Sequence, residues 1–148
     1  MKMKNKKALA RPSIFTRSRA SIVGVFTSIV MLLACSPSLT AKDISQEEFL
    51  AMDETARVLL DVRTVEEYTA GHIPTSINVP VDEIESKLNS LSGFKDKPIV
   101  VYCRSGRRAG KAMSILQEKG FTNLLHLEGD MNGWQAAKRT TVQAPSQN

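Results

Sequence analysis

A short apolar run that leads straight into a cysteine and a turn of small and basic residues constrains this chain most. Residues 99–102 are Ile-Val-Val-Tyr, which predicts a buried strand, and Pro98 stands just before them, where a strand can begin without donating an N–H. After the turn, apolar residues recur at helical spacing, at Ala109, Ala112, Met113 and Leu116. The sequence therefore predicts a strand, a six-residue loop that begins with Cys103, and a helix directly behind the loop.

The surroundings of Cys103 favour a reactive thiol. Gly106 lets the backbone turn so that successive N–H groups face inward, and a helix start presents further unpaired N–H groups and the positive end of its dipole. Arg104, Arg107 and Arg108 add three positive charges. We expect such a thiol to lose its proton below the pKa of about 8.5 of free cysteine and to act as a nucleophile. The alternative, an inert buried cysteine at a strand end, gives no reason for this concentration of arginine.

The positive charge of the chain is concentrated at its start. The 148 residues include 20 basic and 15 acidic side chains, a net charge of +5, but residues 1–19 hold seven of the basic residues and no acid. The remainder holds 13 basic and 15 acidic side chains and is mildly acidic. A nucleic-acid-binding domain usually carries a basic face, so this balance argues against a nucleic-acid partner. The length fits a single domain.

The start of the chain has the pattern of an export signal. Residues 20–34 carry no charge, and this stretch is short for a membrane span, which needs about 20 residues, but fits the apolar core of a secretory signal. The run ends in Leu32-Leu33-Ala34-Cys35, which resembles the lipobox of bacterial lipoproteins. That resemblance implies a signal peptide over residues 1–34, acylation of Cys35, and a periplasm-facing protein anchored in a membrane. Ser36 after the cysteine favours the outer membrane.

Two alternatives for the leader remain open. A signal cleaved without lipidation would give a soluble periplasmic protein, and an uncleaved leader would be an anchor. Ordinary cleavage near Ala34 has unfavourable neighbours, such as Leu32 or Pro37. An acylated Cys35 could not form a disulfide with Cys103, which would leave Cys103 as a free thiol in an oxidising compartment. A single free thiol there suggests a functional use.

Strand and helix signals alternate through the rest of the chain. Apolar runs predict further strands at residues 58–62, 76–80 and 121–127. Capping boxes predict that helices start at Ser45 with Glu48 and at Thr64 with Glu67. An amphipathic pattern predicts a helix over residues 81–91, and Gly120 is expected to end the central helix. A turn at residues 128–134 is expected to run into a last short helix. We expect residues 35–42 to be a tether, residues 43–139 the folded domain and residues 140–148 a flexible tail.

This alternation predicts an α/β fold with a central parallel sheet of about five strands and helices on both faces. Ligands of such sheets bind beyond the carboxyl ends of the strands. Asp61 and Arg63 stand at the end of one predicted strand and Cys103 follows another. We therefore expect these residues at the same edge of the sheet.

Three patterns together resemble the single-domain rhodaneses, which are thiosulfate sulfurtransferase-like proteins. They are Leu60-Asp61-Val62-Arg63-x3-Glu67-Tyr68-x2-Gly71-His72-Ile73-Pro74-x-Ser76-Ile77-Asn78-Val79-Pro80, then Val101-Tyr102-Cys103-x2-Gly106-x-Arg108, and Leu127-x-Gly129-x4-Trp134. The resemblance covers about residues 43–138 and implies a rhodanese-like fold. The family usually has a second glycine where this chain has Asp130. We expect this difference to affect the local turn without touching the sulfur site directly.

The resemblance implies a persulfide mechanism at Cys103. Its thiolate would take the outer sulfur of a donor such as thiosulfate and pass that sulfur to cyanide or a thiol. Asp61 and Arg63 would support the loop that binds the persulfide and the anionic donor, which consists of Arg104, Ser105, Gly106, Arg107 and Arg108. The resemblance implies no metal and no organic cofactor. The implied partners are small sulfur anions or thiols and, through Cys35, a membrane.

Other functions of a cysteine loop give different expectations. Phosphatases of the related fold use Cys-x5-Arg, but residue 109 is alanine and the basic residue falls one place earlier, at Arg108. A module that senses or binds sulfane sulfur or thiols would keep the fold with little turnover. A thiol oxidoreductase would need a resolving cysteine, which an acylated Cys35 could not supply.

The remaining polar and aromatic candidates have structural interpretations. We expect His72 to be a packed histidine, His126 to lie in the core or at a sheet edge, and Trp134 to pack the last helix. Glu66 and Glu67 are expected to form a solvated helix face. No spacing of histidine, cysteine and carboxylate residues suggests a metal site.

Overall fold

A computed structural model describes residues 42–144 of the protein. The predicted signal over residues 1–34, the lipobox at Cys35, nearly all of the tether and residues 145–148 lie outside the described residues. The strands of the described part are β1 Lys42–Ile44, β2 Val58–Asp61, β3 Ile77–Asn78, β4 Ile99–Tyr102 and β5 Leu124–Leu127. The α-helices are α1 Gln46–Ala51, α2 Val65–Ala70, α3 Leu88–Leu91, α4 Arg107–Glu118 and α5 Asp130–Ala136. None of these helices is long and apolar enough to cross a membrane.

The strands form one sheet in the order β1-β5-β4-β2-β3, and every neighbouring pair is parallel. The predicted parallel sheet of about five strands is therefore confirmed. β4 lies at the centre, between β5 and β2, and is buried along its whole length. Asp61 at the end of β2 pairs with Tyr102 at the end of β4, so the residues that follow the two strands emerge at the same edge.

Side chains of the sheet alternate between two hydrophobic clusters, one on each face. Ile99 and Val101 of β4 belong to the cluster that packs against α4. Val100 and Tyr102 belong to the cluster that packs against α1 and α5. Helices therefore cover both faces of the sheet, as the α/β pattern predicts.

Both predicted capping boxes are present. Ser45 Oγ accepts the N–H of Glu48 at 3.1 Å, and the Glu48 carboxylate accepts the N–H of Ser45 at 3.0 Å. Thr64 and Glu67 form the same reciprocal pair at the start of α2, at 3.3 and 3.2 Å. Each box satisfies N–H groups that a helix start leaves without an intrahelical partner, so α1 and α2 begin where the sequence predicts.

The prediction of a single helix over residues 81–91 is wrong. A 3-10 turn occupies Val81–Glu83, and only Leu88–Leu91 is α-helical. Ser86 Oγ donates to the Glu83 carbonyl at 2.8 Å, and such local bonds compete with the helical hydrogen-bond ladder. The apolar residues that produce the pattern still face the core, since Ile84 and Leu91 are buried.

The last predicted strand starts three residues too early. Gly120 is at φ +87 after α4, and the N–H groups of Gly120 and Phe121 bond to carbonyls of the helix's last turn, at 3.0 and 3.1 Å. Phe121 therefore closes the helix and packs into the core. β5 begins only at Leu124.

The edges of the domain differ from the predicted ones. The sequence pattern does not predict β1, because its three residues form a strand only through their pairing with β5. The predicted domain ends at residue 139, but hydrogen bonds continue beyond it. Trp134 Nε1 donates to the Thr140 carbonyl at 2.8 Å, and His72 and Val142 exchange two backbone hydrogen bonds at 2.9 Å. The first residues of the predicted flexible tail thus pair with the domain.

We expect Tyr102→Phe to destabilise the fold. The buried Tyr102 hydroxyl accepts the Ile73 N–H at 3.1 Å, and its removal leaves that buried donor unpaired, at a cost of about 1–3 kcal/mol. Tyr68→Phe is the matched control, because the half-buried Tyr68 hydroxyl donates to the Ser76 carbonyl and its loss should cost about 0.5–1.5 kcal/mol. Urea unfolding measures both, and a smaller loss for Tyr102→Phe than for Tyr68→Phe would contradict this account.

Candidate active site

Cys103 directly follows β4, at the carboxyl end of the central strand. It carries a free thiol, and the residue is only 1 % exposed. The Gly106 N–H donates to Cys103 Sγ at 3.1 Å. The loop therefore turns back over the sulfur and directs a backbone N–H group at it.

Gly106 is required by this turn for two reasons. Its φ of +93 is a conformation that side-chain-bearing residues rarely adopt. A Cβ atom there would also lie 3.2 Å from Asp130 Oδ2 and 3.5 Å from His126 Cε1. α4 begins at the next residue, Arg107, so the positive end of a twelve-residue helix follows the N–H group that contacts the sulfur.

The three loop arginines have different surroundings. Arg104 and Arg107 are exposed, as is Ser105. Arg108 is half-buried and forms a two-pronged ion pair with Glu67 of α2, at 2.5 and 2.9 Å. That pair corrects the expectation that Glu67 belongs to a solvated helix face.

The ion pair between Arg108 and Glu67 has electrostatic consequences. Its hydrogen bonds lower the pKa of Glu67 to about 2, although burial opposes the change. Hydrogen bonding to Glu67 also raises the pKa of Arg108 against the effect of burial, and the charges of Glu67 and Cys103 add to it. Arg108 is therefore a positive charge held in place at the second residue of α4.

Asp61 and Arg63 form a buried pair at the end of β2. The Asp61 carboxylate accepts the Arg63 backbone N–H at 2.9 Å and its guanidinium at 2.6 to 3.0 Å. Arg63 also donates to the Gly71 carbonyl at 2.8 Å, and Asn78 binds the carbonyls of both residues at 3.0 Å. Because Arg63 is held in this way, the pair braces the chain beside β4 rather than leaving a mobile cation.

A cavity of about 270 Å³ lies beside the loop. Arg63 and Arg104 line it, together with residues of α2 and α5. Asn132 and Gln135 of α5 contribute amide groups to its wall. The Glu67 carboxylate also lines the cavity, so two positive charges and one negative charge stand beside uncharged hydrogen-bonding groups. The excess of positive charge favours a small anion.

The start of α5 is joined to the cysteine loop by three hydrogen bonds. The N–H groups of Met131 and Asn132 donate to the carbonyls of Cys103 and Arg104, both at 3.1 Å. The carboxylate of Asp130 accepts the Cys103 N–H at 2.7 Å. The expectation that Asp130 does not touch the sulfur site directly is therefore wrong, because its side chain turns inward beneath the loop.

His126 is a site residue that sequence reasoning places only in the core or at a sheet edge. Its Nε2 lies 3.1 Å from Asp130 Oδ2, and its Nδ1 lies 2.8 Å from Asp43 Oδ1. The hydrogen bond to Asp130, followed by that to Asp43, raises the pKa of His126 to about 9 despite its partial burial. The four-residue spacing from His126 to Asp130 was the available signal, but the contact to Asp43 depends on β1 pairing with β5.

The other singled-out residues pack as expected. His72 is buried, stacks on Tyr68 with ring centroids 3.7 Å apart, and binds the Tyr68 carbonyl through Nδ1. Trp134 of α5 is buried and meets the Phe49 ring edge-on at 6.0 Å. Glu66 is exposed.

Comparison with known sequences assigns the family. The sequence model described as Rhodanese-like domain matches residues 45–137, more than half of the chain. The chain belongs to the rhodanese family. The matched region runs from the first capping box to the end of α5 and contains the whole loop around Cys103. In this rhodanese, β1 and residues 140–144 lie outside the matched region.

Relatives of this rhodanese carry different names. A rhodanese domain-containing protein of Drosophila melanogaster is 40% identical over 88 residues, 51% of this chain and 79% of that protein. A sulfurtransferase of Allochromatium vinosum is 34% identical over 77 residues, 52% of this chain and 70% of that protein. A tRNA uridine(34) hydroxylase of Cronobacter sakazakii is 30% identical over 102 residues, but this chain spans only 29% of its length.

The fold also has a solved counterpart. The crystal structure of a rhodanese-related protein from Thermoplasma volcanium superposes with a TM-score of 0.62 at 29% identity. The likeness covers 70% of this chain and 99% of that one. The predicted rhodanese-like fold is therefore confirmed.

We expect Glu67→Gln to destabilise this rhodanese domain in a pH-dependent way. Glu67 has a pKa of about 2 in the folded protein and about 4.3 in an unfolded chain, so its stabilising effect is complete above about pH 5 and declines as the pH falls toward 2. The variant should lose about 0.5–1 kcal/mol at pH 7 and less at pH 3. Urea unfolding at both values measures the difference.

The exposed neighbour provides the control for that experiment. Glu66→Gln removes the same charge one position earlier and should stay within about 0.5 kcal/mol of the wild type. An equal loss of stability for Glu67→Gln at pH 3 and pH 7 would show that the ion pair with Arg108 does not act as described.

Proposed function

We propose that this protein is a sulfurtransferase that carries sulfane sulfur on Cys103. The observation that carries the proposal is the position of the sulfur. Cys103 Sγ accepts the N–H of Gly106 at 3.1 Å, and Gly106 is the residue immediately before the start of α4. Backbone N–H groups and a helix N-terminus stabilise negative charge, first on a thiolate and then on the outer sulfur of a persulfide.

The proposed reaction has two half-reactions. The Cys103 thiolate attacks the outer sulfur of thiosulfate, an S–S bond forms to Cys103, and the S–S bond of thiosulfate breaks with the electron pair leaving on sulfite. Cyanide or a thiolate then attacks the outer sulfur of the persulfide. Cys103 leaves as a thiolate, and thiocyanate or a new persulfide is released.

The charged residues suit an anionic donor. Glu67 holds Arg108 at 2.5 Å within the loop that follows Cys103, where its positive charge can stabilise the negative charge that moves to sulfite. Arg104 is exposed at the cavity beside the loop and can attract a dianion from solution. Asp61 and Arg63 brace this edge of the sheet. The sulfurtransferase name of the Allochromatium vinosum relative supports the same assignment.

Intact mass spectrometry tests the proposal directly. Wild-type protein treated with thiosulfate should gain about 32 Da, the mass of one sulfur atom, and lose it again on addition of cyanide. Cys103→Ser, which keeps the size of the side chain, should gain nothing. If the wild type gains no mass while Cys103 still reacts with iodoacetamide, thiosulfate is not a donor.

The same experiment distinguishes a sensing or binding module. In that case Cys103 would gain sulfur, but cyanide and small thiols would remove it no faster than they remove sulfur from a persulfide of an unfolded chain. Rapid release with production of thiocyanate would identify an enzyme that turns over.

We also propose that the protein is exported and anchored through an acylated Cys35. The support is the sequence itself, a basic stretch, an uncharged run and the Leu-Leu-Ala-Cys end of that run. Two or three acyl chains on Cys35 would hold the protein firmly to a bilayer.

Detergent phase separation tests the anchor. Full-length protein from a Gram-negative host should enter the detergent phase with a mass that matches acyl chains on Cys35. Cys35→Ser should enter the aqueous phase or remain unprocessed. A wild-type protein without acyl mass would overturn the anchor and favour a soluble periplasmic form.

A further inference from the structure

The side chain of Asp130 binds the backbone of the candidate nucleophile. Its Oδ1 accepts the Cys103 N–H at 2.7 Å, and the residue is only 2 % exposed. Its backbone lies at φ +53, where residues with a side chain are uncommon. A carboxylate that is buried and held in this conformation needs a strong partner.

His126 is that partner. Its Nε2 lies 3.1 Å from Asp130 Oδ2 while its Nδ1 lies 2.8 Å from Asp43 Oδ1. Carboxylates only accept hydrogen bonds, so both ring nitrogens must donate, which only the imidazolium form can do. The same contacts, that to Asp130 first, raise the pKa of His126 to about 9.

The pair of His126 and Asp130 lies directly beneath the loop that holds the sulfur. A Cβ atom at Gly106 would lie 3.2 Å from Asp130 Oδ2, which is a tight contact, and 3.5 to 3.6 Å from the His126 ring, so both side chains reach the loop. A lone negative charge at this place would oppose a thiolate on Cys103, because like charges disfavour ionisation. An imidazolium beside the carboxylate offsets that repulsion.

We propose that Asp130 is a positioning residue for Cys103, and that His126 is the imidazolium counter-ion that lets a carboxylate hold the Cys103 backbone without suppressing the thiolate. The proposal rests on Cys103 being the sulfur carrier proposed above. Asp130 holds the Cys103 N–H while the Met131 N–H holds the Cys103 carbonyl at 3.1 Å, so both ends of the residue are fixed by the start of α5.

Other charged groups also act near Cys103. The loop contributes Arg104 and Arg107, and the ion pair between α2 and α4 contributes Glu67 and Arg108. The pair at the end of β2 contributes Asp61 and Arg63, and β1 contributes Asp43. All of them stay unchanged in the variants below. A difference between variants therefore reports on His126 and Asp130.

The pH dependence of Cys103 alkylation by iodoacetamide tests the proposal and needs no sulfur transfer. His126→Gln removes the positive charge and should raise the pH midpoint of alkylation by about one unit. Asp130→Asn keeps an acceptor for the Cys103 N–H and should leave the midpoint unchanged or lower it. The double variant should return toward the wild type, because it removes one charge of each sign.

Lys97→Gln is the control for loss of a positive charge. Lys97 precedes β4 and so lies at the opposite end of that strand from Cys103, and its replacement should not move the midpoint. An unchanged midpoint in His126→Gln, or upward shifts in both single variants, would overturn the proposal. Because alkylation does not depend on thiosulfate, these results stand even if no persulfide forms.

Two further measurements add to the test, and the first uses only the wild type, so it remains informative if a variant does not fold. By NMR of the wild type, one of the two histidines should keep its protonated signal to about pH 9, and titration of both near pH 6.5 would overturn the proposal. Amide exchange at Cys103 should be roughly tenfold faster in Asp130→Gly, which loses the acceptor, than in Asp130→Asn. Equal rates would show that Asp130 does not position Cys103.

Discussion

The burial of β4 on both of its faces is the constraint on which the rest of this structure depends. The chain leaves β4 at the carboxyl end of the sheet. The neighbouring strand β2 ends at the same level, because its last residue, Asp61, pairs with Tyr102, the last residue of β4. Cys103 is the first residue after β4, is only 1 % exposed, and belongs to the same hydrophobic cluster as Ile99 and Val101. The sulfur therefore has a fixed position on a rigid element, and only the loop that follows has to adapt to a substrate.

Local rules predict much of this fold from the sequence. The two capping boxes, the central strand and the glycine that ends α4 follow from short-range preferences that the packed protein keeps. The helix prediction for residues 81–91 is wrong because the apolar spacing there reflects which side chains are buried and does not indicate helix formation. The strand Lys42–Ile44 is invisible for the opposite reason, since three residues become a strand only when β5 is beside them.

The candidate site could likewise be predicted only in part from the sequence. Cys103, Gly106 and Arg108 are close in sequence, so their motif predicts a shared site. The partners that hold them come from elsewhere: Glu67 reaches Arg108 from α2, and Asp43 reaches His126 from the edge strand. No spacing in the sequence encodes such contacts. Asp130 was recognisable as an unusual residue, but its inward direction depends on the left-handed backbone at the start of α5.

The hydrogen bonds after α5 bear on where this domain can be cut. The family match stops at residue 137, whereas the indole of the buried Trp134 donates to Thr140 and the backbone of His72 pairs with Val142. A gene shortened at the family boundary would encode a protein in which Trp134 has lost its acceptor and the His72 backbone has lost its partner Val142. Residues 140–142 therefore hold α5 and the segment around His72 together, and a domain border taken from the family match alone would exclude them.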